Sequence, residues 1–134
     1  MSTNEPTKYF DLHTDGLGYL NRIREVTPKE GTPFLSVTIA ALRGSVDNVQ
    51  YTHFECRVSG KQAHDIVRKL KPAGEDSAKV LIGFTLSDLY AEAFTFKNGD
   101  KAGETGISLK ARLLRIAWAK VDGQPFYSAQ DNAA

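Results

Sequence analysis

In residues 51–58, the odd-numbered and the even-numbered positions carry different kinds of side chain, and the odd-numbered set could do chemistry. Tyr51, His53 and Arg57 occupy odd-numbered positions, whereas the even-numbered positions are mainly apolar. Aromatic rings stack on nucleobases, and basic groups neutralise phosphates. This spacing predicts a strand with one face in the core and the other able to bind single-stranded nucleic acid. The alternative is that exposed Tyr and Arg are ordinary on a half-buried strand.

A second group of aromatic and basic residues follows later in the chain. Tyr90, Phe94 and Phe96 share a face, and residues 97–106 form a loop rich in Gly and Lys that could close over a bound strand. An aromatic stripe is also typical of a core or a subunit interface, and surface Lys residues are often only solvated. Trp118 is expected in the core or at such an interface. The candidate nucleic-acid-binding residues of the two groups are Tyr51, His53, Arg57, Tyr90, Phe94, Phe96, Lys97, Lys101, Lys110 and Arg112.

The charge of the chain is nearly balanced, with 17 Lys and Arg residues against 16 Asp and Glu and a formal net charge of +1. A strongly basic chain would indicate nucleic-acid binding most simply, so here the distribution of charge must carry that argument. Residues 97–120 contain six basic and two acidic residues. Basic charge is therefore concentrated late in the chain.

No constellation of residues points to catalysis or to a cofactor. His13, His53 and His64 are scattered, and with Cys56 they lack the spacing of metal ligands. The glycines at residues 16–18 do not complete a dinucleotide-binding fingerprint, and there is no P-loop or nucleophile elbow. We therefore predict a protein that is not an enzyme and that holds no metal or cofactor.

Length and composition indicate one domain covering residues 1–134, with 41% hydrophobic residues to build its core. Residues 1–8 and 128–134 are polar or small and are predicted to be disordered. No apolar run approaches the roughly 20 residues of a membrane span, and the N-terminus lacks the apolar stretch of a secretory signal. One cysteine cannot form an internal disulfide. These features predict a cytoplasmic protein with no membrane contact.

Apolar residues at every second position predict the strands. The first strand alternates imperfectly, which indicates a bulge, and the parity shift at Leu113-Leu114 indicates another. Asp122-Gly123 marks a turn before a short hairpin segment. The predicted strands cover residues 18–26, 34–42, 51–58, 80–86 with 90–96 as an extension or a paired strand, and 107–118, followed by the segment 125–127.

One short helix is predicted at residues 60–70, between the third and fourth strands. Ser59 and Gln62 have the spacing of a capping box at its start, and Pro72 and Gly74 are expected to end it. The order strand, strand, strand, helix, strand, strand is that of the OB barrel, which often binds single-stranded nucleic acid. The expected fold class is therefore all-β, a five-stranded OB-fold barrel with one short helix between strands three and four.

Several motifs resemble known families. Residues 31–40, 53–63 and 80–83 resemble the second strand, the third strand with its Gly-Lys-x-Ala helix start, and the fourth strand of bacterial single-stranded DNA-binding proteins. The motifs KYFDLH, GYLNR, FECRVSGK and VLIGF span nearly the whole chain and resemble the replication proteins of integrative conjugative elements. The resemblance implies an OB fold, binding of single-stranded DNA without sequence preference, and a homo-oligomer. Arg22, in the GYLNR motif, joins the candidate nucleic-acid-binding residues.

Two features depart from the bacterial proteins. His53 stands where they carry a stacking tryptophan on the third strand, and a His ring is a poorer stacking platform. The chain ends Asp-Asn-Ala-Ala rather than in an acidic tail with a terminal Phe. Recruitment of repair and replication partners through such a tail is therefore not expected.

Three hypotheses follow from the sequence. The first is a non-catalytic single-stranded DNA-binding protein that serves replication or transfer of a mobile genetic element. The second is an OB-fold protein-interaction module of the same element's machinery, which the near-neutral charge favours. The third is an enzyme with an unrecognised site. DNA binding should weaken steeply with salt, whereas binding to a protein partner should depend on salt less.

Overall fold

The computed structural model describes residues 10–128, which form six strands and one helix. Residues 1–8 and 129–134, which are predicted to be disordered, lie outside this range. Ser128, for which disorder is also predicted, lies in the last strand. In chain order the elements are β1 (His13–Val26), β2 (Phe34–Ser45), β3 (Asn48–Val58), α1 (Lys61–Glu75), β4 (Val80–Thr95), β5 (Thr105–Val121) and β6 (Gln124–Ser128).

Five strands close into a barrel, which confirms the predicted OB-like fold class. Neighbours in the order β3-β2-β1-β4-β5 pair antiparallel, and a parallel pairing of β3 with β5 closes the barrel. The predicted hairpin segment is β6, which adds to β5 after the turn at Gly123. The helix lies between β3 and β4 in the chain, as predicted.

Inward-facing side chains from alternate strand positions fill the barrel. Val37 and Ile39 of β2 and Leu113 and Ile116 of β5 have no exposed surface. Full burial of such a side chain contributes about 1.5–3 kcal/mol relative to exposure. The predicted inward parity of β3 is confirmed, so its opposite parity faces outward.

Both predicted bulges are present. The pairing of β1 with β2 shifts between Asn21 and Arg24, and Arg22 has a positive φ of 49° there. The pairing of β4 with β5 skips Leu114, because Thr85 pairs with Arg115 and the next residue of β4 already pairs with Leu113. An extra residue on one strand bends it and redirects its side chains. At β1, the bulge redirects Arg22.

The helix begins differently from the prediction. No side chain caps its first turn, and the residue before it is Gly60 with φ of 88°, so the Ser59–Gln62 capping box is wrong. Gln62 instead binds the backbone of Ile116 with both ends of its amide: Nε2 donates to the carbonyl oxygen at 2.7 Å, and Oε1 accepts from the N–H at 3.1 Å. These bonds tie α1 to β5. Within residues 10–128, no helix is long and apolar enough to cross a membrane.

The helix and the strands β1, β2, β3, β5 and β6 extend beyond their predicted bounds, and β4 joins two predicted stretches into one strand. Pro72 and Gly74 lie inside the helix, which continues to Glu75, so the predicted stop is wrong, although proline lacks the N–H of a helical hydrogen bond. β1 begins at His13 because residues 13–17 pair with β4, although their side chains do not alternate in polarity. β4 runs through residues 90–95, so the second part of the predicted stretch is an extension of the strand and not a separate one.

Candidate nucleic-acid interface

Three arginines lie in one row across the outer surface of the barrel. Arg24 of β1 pairs with Ser36 of β2, Ser36 with Arg57 of β3, and Arg57 with Arg112 of β5. Directly paired residues point to the same side of a sheet, and the inward side of β3 is taken by core residues. The guanidinium groups therefore project from neighbouring strands on the outer side. We call Arg24, Arg57 and Arg112 the arginine row.

Two arginines of the row face carboxylates without forming close hydrogen bonds. Arg24 Nη2 lies 3.8 Å from Glu55 Oε1, and Arg112 Nε lies 3.6 Å from Asp88 Oδ2. Both distances are longer than a hydrogen bond. Arg24 Nη1 is buried and has no hydrogen-bond partner among residues 10–128. An anion cannot reach the buried Nη1, but the side chains of Arg24 and Arg112 are 41% and 54% exposed, so their accessible N–H groups can donate hydrogen bonds to an anion.

The arginine row lines a groove with a volume of about 580 Å³. The hairpin of β4 and β5 forms another side of this groove, where the side chains of Tyr90 and Phe94 are 54% and 41% exposed. The Arg57 guanidinium carbon lies 4.2 Å from the centre of the Phe34 ring, a cation–π contact that fixes a flat cation beside aromatic groups. Accessible rings next to cations are what stacked bases and phosphates require. We call this space the arginine groove.

Carboxylates in the arginine groove offset part of its positive charge. Lys110 Nζ lies 2.9 Å from Glu92 Oε1, and this hydrogen bond raises the pKa of Lys110. Glu55 accepts a hydrogen bond of 2.9 Å from the Thr38 hydroxyl. Four basic and three acidic side chains line the groove in total. The basic excess of residues 97–120 is thus reduced by acidic residues on the facing strands.

The tip of the β4–β5 hairpin lies outside the arginine groove. Phe96 packs edge to face on Phe94 with ring centres 4.9 Å apart, and Lys101 Nζ lies 5.7 Å from the centre of the Phe96 ring. The Gly103 N–H donates to the Phe96 carbonyl oxygen at 2.8 Å. Lys97 is exposed on the same tip. Internal contacts therefore hold the loop in a defined turn.

A second cavity, of about 660 Å³, lies where the C-terminal end of α1 meets the outer face of β1, β2 and β3. Tyr51 and His53 of β3 line it together with Arg22 at the β1 bulge. Ala40 of β2 lies between the outer faces of β1 and β3 and also lines the cavity. We call this space the helix-end cavity.

The structure divides the predicted residues among three places. Sequence reasoning missed Arg24 and Phe34 in the arginine groove and Lys71 and Lys79 in the helix-end cavity. None of these four belongs to an alternating aromatic and basic pattern, and only the pairing of the strands and the position of α1 bring them to the site. Of the predicted residues, Arg57, Tyr90, Phe94, Lys110 and Arg112 line the arginine groove, Arg22, Tyr51 and His53 line the helix-end cavity, and Phe96, Lys97 and Lys101 line neither.

Cys56 is not placed for reactivity. It is buried on the inward face of β3, and burial, aided by the nearby charge of Glu55, raises the pKa of its thiol to about 12. The thiol is therefore protonated at neutral pH and poorly nucleophilic. Over the described part of the chain, no group of three or more His, Cys, Asp or Glu residues is placed to hold a metal ion.

Within residues 10–128, the closed barrel, the helix between β3 and β4 and the two cavities described above define an OB-like fold with an accessible sheet face. The chain belongs to the family described as "Protein of unknown function (DUF3577)", whose sequence model matches residues 3–134. No curated protein and no solved structure matches the chain.

Proposed function

We propose that the protein binds single-stranded DNA in the arginine groove, without sequence preference and without catalysis. The observation that carries this proposal is the arginine row next to the exposed rings of Tyr90 and Phe94. Like charges directly opposite one another destabilise a sheet, so the direct pairing of Arg57 with Arg112 costs stability in the free protein. A bound phosphate backbone would offset that repulsion.

Each wall of the arginine groove has a role in this proposal. Arg24, Arg57 and Arg112 donate to phosphate oxygens, for which the guanidinium fork is well suited. Tyr90 and Phe94 stack on bases, and stacking tolerates any sequence because every base has a π face. The floor at Ser36 is a small side chain, which leaves room for the sugar-phosphate backbone.

The resemblance to replication proteins of integrative conjugative elements extends the proposal to a biological role. On that basis the protein serves replication or transfer of a mobile genetic element, in the cytoplasm and as a homo-oligomer. The resemblance supports this role by motif likeness, whereas the arginine groove supports only the binding of the strand.

A second candidate function is a protein-interaction module. The observation that favours it is the set of apolar side chains left exposed: Ile107 is 64% exposed on the β4–β5 hairpin, and Phe126 is 44% exposed on β6. The three acidic side chains in the arginine groove also favour a protein partner over a polyanion.

Fluorescence anisotropy of labelled oligo-dT at two salt concentrations separates the two functions. We expect binding that weakens with salt, and a slope of log K against log salt that falls by about 0.7 for each phosphate contact removed. Arg57→Ala and Arg112→Ala should each weaken binding and reduce the slope. Arg68→Ala is the matched control, because Arg68 is exposed on α1 away from the groove. Absence of binding at low salt would reject the DNA proposal and favour the protein-interaction module.

A further inference from the structure

The helix-end cavity contains two kinds of side chain that bind nucleotides, and these residues do not belong to the arginine groove. Aromatic side chains line one part of it, and basic side chains line another. Its volume of about 660 Å³ lies within the range of about 300–1,000 Å³ that is typical of small-molecule sites. The cavity is therefore large enough for a nucleotide.

The aromatic part is a slot formed by cross-strand pairing. Tyr19 of β1 pairs with Ala40 of β2, and Ala40 pairs with His53 of β3. Two strand spacings separate Tyr19 from His53, about 9.6 Å. Because Ala40 is small, the space between the two rings is left open above it. A planar base could enter this slot and stack, with Tyr51 next to His53 on the same face of β3.

The basic part comes from three elements that converge at the end of the helix. Arg22 projects from the β1 bulge, Lys71 from α1 and Lys79 from the segment before β4, against one acidic residue, Glu75. Among residues 10–128, no carboxylate lies within 4.0 Å of the three cations. This differs from the arginine groove, where three of the four cations face a carboxylate.

Two backbone features support an anion at this place. Arg22 has φ of 49°, a conformation that non-glycine residues adopt rarely and that bulges use to redirect a side chain. The last carbonyl groups of α1 would repel a phosphate, but residues 76–78 donate hydrogen bonds of 3.0–3.1 Å to them. The repulsion expected from a helix C-terminus is thereby reduced.

We propose that the helix-end cavity binds one nucleotide, with its base between Tyr19 and His53 and its phosphate on Arg22, Lys71 and Lys79. The inference rests on the proposed function in one respect, namely that the nucleotide belongs to the strand bound in the arginine groove. Ser36 in that groove and Ala40 in the cavity lie four residues apart on the outer face of β2, about 13 Å. One extended strand therefore reaches both sites.

The test compares two oligo-dT lengths, about 2 and about 16 nucleotides. At about 3.4 Å per nucleotide of stacked strand, the short one does not cover the distance of about 13 Å between the two sites, whereas the long one reaches the upper end of the site sizes of single OB folds. The test protein is the triple variant Arg22→Asn, Lys71→Ala, Lys79→Ala. Asn is chosen at position 22 because it tolerates a positive φ. Lys69→Ala is the matched control, since Lys69 is an exposed Lys of the same helix that does not line the cavity.

We expect the triple variant to lose at least about tenfold in affinity for the long oligonucleotide, with a much smaller loss for the short one. Its salt slope for the long oligonucleotide should fall by about 0.7, because the three cations hold one phosphate. Lys69→Ala should bind both lengths like the parent protein. If the triple variant binds both lengths normally while Arg57→Ala weakens both, the inference is overturned and the proposed function stands.

A second arm distinguishes a free nucleotide from a nucleotide of the strand. Titration of dTMP alone is followed through the NMR signals of the His53 ring, with Lys79→Ala for comparison. If no oligonucleotide binds but dTMP shifts the His53 signals in the parent protein and not in the Lys79→Ala variant, the nucleotide site is supported and the proposed function has failed. If no oligonucleotide binds and dTMP causes no shift, both are overturned.

Discussion

Replacing Glu92 by Gln should raise the affinity of the protein for single-stranded DNA. In the free protein Lys110 Nζ is held 2.9 Å from Glu92 Oε1, inside the arginine groove. A phosphate that binds Lys110 must displace this carboxylate and must also approach its negative charge. Glu92→Gln keeps the size of the side chain and removes the charge, so both costs fall.

The size of the expected gain in affinity follows from the exposure of the Lys110–Glu92 ion pair. The side chains of Lys110 and Glu92 are 40% and 49% exposed, so solvent screens their attraction, and such pairs are worth about 0.2–1 kcal/mol. Release of that energy corresponds to an affinity gain of about 1.4- to 5-fold, since 1.4 kcal/mol is tenfold. If Lys110 then contacts a phosphate, the salt slope should steepen by about 0.7.

The assay is the oligo-dT anisotropy titration at several salt concentrations, with Glu104→Gln as the control. Glu104 is exposed at the tip of the same hairpin and does not line the arginine groove. The control makes the same change in net charge, so it measures the long-range effect alone. Equal gains in the two variants would show that the pairing of Lys110 with Glu92 is irrelevant to binding, and a loss of affinity in Glu92→Gln would refute the placement of the strand in the groove.

Three further predictions concern stability. A Cβ at Gly83 would clash with Trp118 Nε1, so Gly83→Ala should cost about 1–3 kcal/mol by urea denaturation, and the double variant with Trp118→Phe should lose less stability than the sum of the two single variants. Gln62→Ala leaves the Ile116 amide without its partner and should cost about 1–3 kcal/mol, whereas a neutral result would mean that water replaces the amide. The Cys56 thiol keeps its proton to about pH 12 in the native state but ionises near 9.0 when unfolded, so stability should fall as pH rises between these values, and Cys56→Ala should remove this contribution.

The fold could be predicted from the sequence because strands with one face in the barrel core alternate between apolar and polar residues. The parity of β3 and the phase shift at Leu113-Leu114 carried information about side-chain direction, and both correspond to observed features. The start of β1 carried no such information, since the side chains of residues 13–17 do not alternate and their place is set by pairing with β4. The predicted capping box at the start of the helix was wrong because Gln62 forms hydrogen bonds with the backbone of β5, which no local pattern reveals.

The site could be predicted only in part, because its geometry depends on strand register. Arg24 and Arg112 are distant in sequence, and only two antiparallel pairings and one parallel pairing bring them into one row. The register of β4 against β5 places Glu92 and Asp88 beside basic residues of β5. Counting charges along the chain could not reveal these pairs, so the sequence overestimated the free positive charge near residues 97–120.

The balance of charge in the arginine groove has a consequence for how a strand would bind. A phosphate that binds Lys110 or Arg112 replaces the carboxylate that already faces this side chain. The electrostatic gain is therefore the difference between the two interactions. Stacking on Tyr90 and Phe94 must then supply more of the affinity, at about 1–3 kcal/mol per base. The salt slope should therefore be modest, near −2 if only the arginine row gains phosphates. A near-neutral protein of this kind would release its strand readily, because carboxylates in the groove compete for the same cations.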